Sequence, residues 1–165
     1  MTIKRTIRHL LTGQLQIKAS FPDNVLKTIE QTIRASEASH SGEIRFAVED
    51  ALDGMALFEG MTSRERAIEL FSQLRIWDTE HNNGMLIYLL LADRAVEIVA
   101  DRGIHVKVGL ETWSKICRQM EGDFKQSRYE SGVVSGVRAI TQHLATHFPA
   151  GRINRNELPD KAVVV

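Results

Sequence analysis

The residues that decide the fold are MLIYLLL at positions 85–91 and AVEIVA at positions 95–100, separated only by Ala92, Asp93 and Arg94. Two such runs joined by a short connection predict a β-hairpin. The first run has no polar member to turn toward water, so both faces of its strand should be covered and we expect it at the centre of a sheet. The second run alternates less cleanly, which is typical of a strand nearer the border. Helices must therefore pack on both sides of the sheet.

The segments before the hairpin predict how the sheet is extended. Residues 43–49 alternate, with Ile44, Phe46 and Val48 on one face, and predict another strand. Thr62 and Glu65 have the spacing of a capping box, which predicts a helix between this strand and the hairpin. A crossover of that length allows the two strands to be parallel.

Apolar residues at helical spacing predict further helices over residues 23–39, 113–124 and 127–147, whereas residues 50–61 are predicted to be a loop. The predicted fold class is α/β: a three-layer α/β/α sandwich with a mixed sheet, built from a β-α-β crossover plus a β-hairpin, and with helices on both faces.

The length of 165 residues suits a single domain. We divide the chain into a basic amphipathic segment at residues 1–20, an α/β domain at residues 21–148 and a tail at residues 149–165, which is either an extended strap or a disordered end. For residues 1–20 the favoured interpretation is a helix folded back on its own domain. The alternative is a helix that contacts a membrane surface or a protein partner.

Composition excludes several classes of function. The 21 basic residues balance 21 acidic ones and no large basic patch is visible, so nucleic acid is not an expected partner. Cys117 is the only cysteine, which excludes an internal disulfide and a cysteine-rich zinc site. We see neither a signal-peptide core nor a transmembrane run, and the sequence predicts a cytoplasmic protein.

The predicted topology brings many polar residues to one edge of the sheet, where the first two strands begin and the third ends. These residues are His40, Ser41, Glu43, Asp78, Glu80, His81, Asn82, Asn83, Asp101, Arg102 and His105. Carboxylate and amide oxygens are the ligands of hard divalent cations. The favoured interpretation of the set is a solvated rim with local salt bridges, and the alternative is a cation or anion site.

Several of these residues carry a resemblance to a known family. The chain resembles the TPM domain in residues 71–77, 83–88, 92–94, 96–99, 102–103, 124 and 129–133. The resemblance extends over about residues 21–148, and its strongest part runs from Asn83-Gly84 to Arg102-Gly103. It implies an α/β/α sandwich and a divalent cation, often calcium, held by acidic loop residues. For the thylakoid member of the family it also implies acid-phosphatase activity.

The chain departs from the family pattern at two places in the predicted site. Asn82 stands where the family often has Asp, and Asp101 stands where the family tends to have Gly. On this basis we predict Glu43, Asp78 and Asp101 as metal ligands, with Asn82 as an auxiliary ligand for calcium, magnesium or manganese. Arg102 would orient a phosphate oxygen, and His105 or His81 would supply a proton to a leaving group. For Arg102 the favoured interpretation is an ion pair with an acidic neighbour.

Two functions of different class follow. The favoured one is a non-catalytic module that binds a divalent cation or a protein partner, because Asn82 removes charge from the loop and no activated nucleophile is evident. The alternative is a metal-assisted acid phosphatase acting on phosphomonoesters. The sequence leaves open whether the protein is an enzyme.

Overall fold

A computed structural model of the chain describes residues 3–151 and 155–165. Eight helices and four strands lie within this described part. In chain order they are α1 (Ile3–Leu11), α2 (Gln14–Ser20), α3 (Asp23–Ser36), β1 (Glu43–Glu49), α4 (Gly54–Glu59), α5 (Ser63–Gln73), β2 (Gly84–Leu90), β3 (Ala95–Ala100), α6 (Arg102–Val108), α7 (Leu110–Phe124), α8 (Tyr129–His147) and β4 (Val163–Val164).

The four strands form one mixed sheet in the order β3-β2-β1-β4. Strands β1 and β2 are parallel, with a register that runs from Glu43 opposite Gly84 to Glu49 opposite Leu90. Strands β2 and β3 are antiparallel neighbours. The crossover and the hairpin are thus confirmed, with the MLIYLLL run in the interior and β3 at the border.

Each face of the sheet is covered by helices. One face of β1 and β2 packs against residues of α3, α7 and α8, in a core that includes Ile29, Trp113 and Val137. The other face packs chiefly against α5, through Ala67 and Leu70. Every residue of β1 and β2 is buried, and full burial of one large aliphatic side chain stabilises the fold by about 1.5–3 kcal/mol. The chain is therefore the predicted α/β/α sandwich.

The connection from α5 to β2 is held in place by a glycine. Helix α5 begins with the predicted capping box, in which Thr62 and Glu65 exchange hydrogen bonds of 2.8 and 3.2 Å. After α5, Ile76 is completely buried. A Cβ atom on Gly84 would lie 2.0 Å from the main-chain oxygen of Ile76, so no larger residue fits there. This contact fixes the turn at residues 74–83 against the start of β2.

Two segments differ from their predictions. Residues 50–61 contain α4, which Asp53 caps by accepting a 2.8 Å hydrogen bond from Ala56 N–H and which ends at Gly60 with a φ of 81°. The tail adds β4, whose Val163 lies opposite Ala47 of β1. An extended strap is therefore correct for residues 155–165, while positions 152–154 of the predicted tail lie outside the described residues.

Helix α1 folds back on the domain as favoured, but its polar side faces inward. Arg5 donates hydrogen bonds to Asp93 and to the main-chain oxygen of Met61. His9 is buried and bonds Asp93 through Nε2 at 3.0 Å. The apolar side of the helix remains exposed instead of entering the core. Residues 1 and 2 of the predicted segment lie outside the described residues.

The helices are too short or too polar to span a bilayer. In the described ranges, none is long and apolar enough to cross a membrane.

Candidate cation site at the edge of the sheet

The backbone brings the predicted polar edge together. Glu43 at the start of β1 lies opposite Gly84 at the start of β2. Asp101 follows β3, and its N–H donates a 2.9 Å hydrogen bond to the carbonyl oxygen of Gly84. Glu43 and Asp101 therefore lie on the two sides of Gly84, as the topology predicted.

Asn83, immediately before Gly84, is completely buried. Its N–H bonds the hydroxyl of Thr79 at 3.1 Å, and its side-chain Nδ2 donates to the carbonyl oxygen of Ser41 at 3.1 Å. The second bond fixes the orientation of the amide, because a carbonyl oxygen accepts only from the nitrogen side. The remaining atom, Oδ1, is buried and accepts no hydrogen bond from the described residues.

Asp101 presents a second oxygen of the same kind. Its Oδ1 accepts a 2.6 Å hydrogen bond from Arg102 N–H and caps the start of α6. Its Oδ2 is buried, and no donor within residues 3–151 and 155–165 bonds it. A buried oxygen without a donor is unfavourable by about 1–3 kcal/mol, and more if it is charged. Two such oxygens thus lie within one residue of the Gly84–Asp101 hydrogen bond.

Main-chain oxygens approach the same place. A Cβ atom on Gly103 would lie 2.6 Å from the carbonyl oxygen of His81 and 2.5 Å from that of Asn82. Asn82 has a φ of 50°, a left-handed conformation that asparagine tolerates. The first turn of α6 therefore packs directly on these two carbonyl groups. We call Oδ2 of Asp101, Oδ1 of Asn83 and the carbonyl oxygens of His81 and Asn82 the edge oxygen cluster.

The carboxylate of Glu43 binds the C-terminal segment of the chain. Its two carboxylate oxygens accept hydrogen bonds from the N–H groups of Glu157 and Leu158, at 3.0 and 3.3 Å. Burial raises the pKa of Glu43, and these two bonds partly oppose that shift. Glu43 therefore holds the C-terminal segment against the sheet, and its role as a metal ligand stays a prediction.

The other predicted residues are more open. Asp78 is exposed, and its carboxylate bonds none of the described residues, while its N–H bonds the carbonyl oxygen of Arg75 at 2.9 Å. Arg102 is exposed as well, and His105 is half-buried with its N–H on the carbonyl oxygen of Asp101. Their predicted roles are not tested by these contacts.

The side-chain chemistry of the edge limits what it can bind. Nowhere in the described ranges do three His, Cys, Asp or Glu residues group in a way that would hold a metal ion. A cation at this edge would therefore depend on amide and main-chain oxygens as well as on Asp101. Sequence reasoning passed over Asn83 as a ligand, although an amide directly before the central strand was a visible signal.

The opposite edge of the sheet carries a carboxylate whose oxygens are all engaged. Glu49 accepts a 2.6 Å hydrogen bond from the hydroxyl of Tyr88 and a pair of bonds from Arg66. Burial and the carboxylate of Glu49 raise the pKa of Tyr88. Because this network leaves no oxygen of Glu49 without a donor, we assign it to stability and not to ligand binding.

The fold and the edge define a class: a three-layer α/β/α domain whose mixed sheet has polar residues where its parallel strands begin. A family model described as the TPM domain matches residues 19–143, and the chain belongs to the TPM domain family. The resemblance seen in the sequence is thereby confirmed.

Solved structures with the same fold support the assignment. The chain is similar to the BA42 protein from the psychrophilic bacterium Bizionia argentinensis, with a TM-score of 0.76, 29% identity and coverage of 86% of this chain and 93% of that one. The N-terminal domain of a protein from P. gingivalis gives a TM-score of 0.64 at 19% identity, covering 86% and 95% of the two chains, and shows the fold alone. A search of curated proteins found no significant match.

Proposed function

We propose that the protein is a non-catalytic module that binds a divalent cation through the edge oxygen cluster. The observation that carries the proposal is a pair of buried oxygens, Oδ2 of Asp101 and Oδ1 of Asn83, to which none of the described residues donates a hydrogen bond. A hard cation is the ligand that carboxylate, amide and carbonyl oxygens share. A cation that contacts both oxygens would compensate each of them.

The mixture of donors favours calcium over magnesium. Calcium accepts carboxylate, amide and main-chain oxygens in a flexible geometry, whereas magnesium demands near-octahedral geometry and retains its waters. Asp78 and Asn82 lie on the same turn as His81, and Asp78 would add a second carboxylate. With few carboxylates the affinity should be low, with a dissociation constant on the order of 10⁻⁴–10⁻³ M.

A calcium titration with a charge-removing variant tests the proposal. Asp101→Asn keeps an oxygen to cap α6, because asparagine caps helices as well as aspartate does, but it removes the charge. Asp53→Asn makes the same change at the cap of α4, beyond the opposite end of β1. We expect calcium to raise the melting temperature of the parent and of Asp53→Asn, and the affinity of Asp101→Asn to fall at least about tenfold.

Two results of this titration would contradict the proposal. One is a parent protein whose melting temperature and amide resonances do not respond to millimolar calcium. The other is an unchanged affinity in Asp101→Asn, which would place the cation elsewhere.

Arg102 supports a second candidate, the metal-assisted phosphatase. It directly follows Asp101, its side chain is exposed, and it forms no ion pair with the described residues. A free guanidinium beside a cation is suited to a phosphate ester. The test is hydrolysis of p-nitrophenyl phosphate from acidic to neutral pH with calcium, magnesium or manganese. Metal-dependent turnover that Arg102→Gln abolishes would favour the enzyme, and flat rates would favour the binding module.

A further inference from the structure

Helix α1 exposes nearly all of its large aliphatic side chains. Ile3, Leu10 and Leu11 are 79%, 78% and 81% exposed, and Leu15 at the start of α2 is 84% exposed. Ile7 is half-exposed. We call the four α1 residues Ile3, Ile7, Leu10 and Leu11 the outer apolar face. A helix packed on a soluble domain usually turns such a face inward, so this exposure needs a reason.

The inward contacts fix the orientation of α1. Asp93 lies between Arg5 and His9, and its two oxygens accept hydrogen bonds of 2.7–3.1 Å from them. The other ring nitrogen of His9 accepts a 3.1 Å bond from Leu52 N–H, so the proton of the neutral ring is on Nε2. Rolling the helix to bury its leucines would leave Asp93 buried and unpaired. The outer apolar face is therefore held outward by specific contacts.

The neighbouring segment is apolar on its surface as well. Helix α1 also bonds the main chain of Leu52 and Met61, which lie on either side of α4 in the sequence. In α4, Met55 is 68% and Phe58 is 78% exposed. Exposed apolar side chains therefore occur on both α1 and α4. Large exposed apolar surfaces mark interaction sites.

Charge indicates what covers the outer apolar face. Residues 1–22 contain no Asp or Glu, and Asp23 is the first acidic residue. Lys4 and Lys18 are exposed, and the side chain of Arg8 is half-exposed at 3.6 Å from Asp93. Two copies joined through this face would bring these cations together, which is unfavourable. An anionic lipid surface accepts both the apolar side chains and the cations.

We propose that α1 lies in the interface of an anionic lipid bilayer, with the outer apolar face among the acyl chains and with Lys4, Arg8 and Lys18 at the headgroup phosphates. The attachment is peripheral. Asp93 is in the hairpin turn, at the opposite end of β3 from Asp101, so the edge oxygen cluster would remain accessible. This inference does not depend on cation binding.

Vesicle sedimentation tests the inference. The parent protein should pellet with vesicles of equimolar phosphatidylglycerol and phosphatidylcholine and should remain in the supernatant with phosphatidylcholine alone. Leu10→Ser combined with Leu11→Ser should lower the partition coefficient at least about tenfold, since each buried methylene contributes to insertion. Val106→Ser removes a side chain that is 79% exposed on α6 and should bind like the parent.

A second pair of variants tests the charges. Lys4→Gln with Arg8→Gln should weaken binding to the phosphatidylglycerol vesicles several-fold. All the substituted side chains are at least half-exposed, so matching melting temperatures would confirm that the fold is intact.

Three results would overturn the inference. The first is equal partitioning of the leucine variant and the parent. The second is equal binding to both vesicle types. The third is self-association of the parent in sedimentation velocity that the leucine variant abolishes, which would show that a second copy covers the face.

Discussion

Arg5 and Asp93, which are 88 residues apart in the chain, form a bidentate ion pair that attaches α1 to the hairpin turn. Burial alone would raise the pKa of Asp93, but the hydrogen bonds from Arg5 and His9 outweigh it and lower the pKa. Both side chains of the pair are largely buried. The orientation of the N-terminal helix therefore depends on one carboxylate.

Asp93→Asn should release α1. The amide loses the charge that holds Arg5, and in either orientation its NH₂ group meets an N–H donor of Arg5 or His9. We expect unfolding free energy to fall by about 2 kcal/mol, between the values for exposed and fully buried pairs. Hydrogen exchange of residues 3–11 should become that of a frayed helix. Asp50→Asn changes a carboxylate that, among the described residues, bonds only Ala51 N–H, and it should leave α1 protected. Unchanged exchange in Asp93→Asn would contradict this assignment.

Gly103→Ala should destabilise the protein by about 2 kcal/mol or more, because its Cβ would meet the backbone carbonyls of His81 and Asn82 and the turn would have to shift. Gly122→Ala is the matched control. No atom of the described residues lies within 4 Å of a Cβ atom at Gly122, so the alanine should stabilise α7 by up to about 1 kcal/mol. Urea denaturation measures both. An unchanged free energy of unfolding in Gly103→Ala would show that α6 does not pack closely on the turn.

Arg66→Met should lower the free energy of unfolding more than Tyr88→Phe does. Removing the guanidinium leaves the buried Glu49 carboxylate with one donor, and breaking such a pair destabilises by about 3–5 kcal/mol. Removing the Tyr88 hydroxyl leaves Arg66 in place and should cost about 1–2 kcal/mol. Chemical denaturation of the two single variants and of the double variant gives the interaction energy between Arg66 and Tyr88. Equal losses would contradict the ranking.

Stability should fall as pH rises from about 4.5 to about 8, because of Glu37. Burial, with the neighbouring Asp160 and Glu43 carboxylates, raises the pKa of Glu37 to about 8. A raised pKa means that the stabilisation is complete below the ordinary value near 4.5 and is lost as pH rises through 8.

Glu37→Gln should remove this loss and be more stable than the parent at pH 9, by up to about 1 kcal/mol after allowance for solvent screening. Glu59→Gln, at an exposed position on α4, should follow the parent at every pH. Melting temperatures from pH 6 to 9 make the comparison. If the parent and Glu37→Gln curves are parallel, Glu37 does not titrate in this range.

The hairpin was predictable because a strand that is apolar at every position fits only the interior of a sheet. The orientation of α1 was not, because helical spacing shows which residues share a face and not whether that face meets the protein. That choice depended on Asp93, far along the chain. Strand β4 was missed because a run of three valines is too short to display a period.

The candidate site was predictable only as far as topology reaches. Antiparallel and parallel pairing place Glu43 and Asp101 beside Gly84. Sequence could not show that the tail would occupy both oxygens of Glu43. The sequence also could not show that the Asn83 amide would donate through Nδ2 to the carbonyl oxygen of Ser41, because that depends on side-chain rotation.

Strand β4 also determines where the sheet could grow. Val165 N–H bonds the carbonyl oxygen of Val48, so the C-terminal residues occupy hydrogen-bonding positions along the outer side of β1. Unpaired strand borders are templates for fibril formation. Deletion of residues 163–165 would leave the outer side of β1 unpaired and open to foreign strands, and a polypeptide fused after Val165 would begin at the border of the sheet.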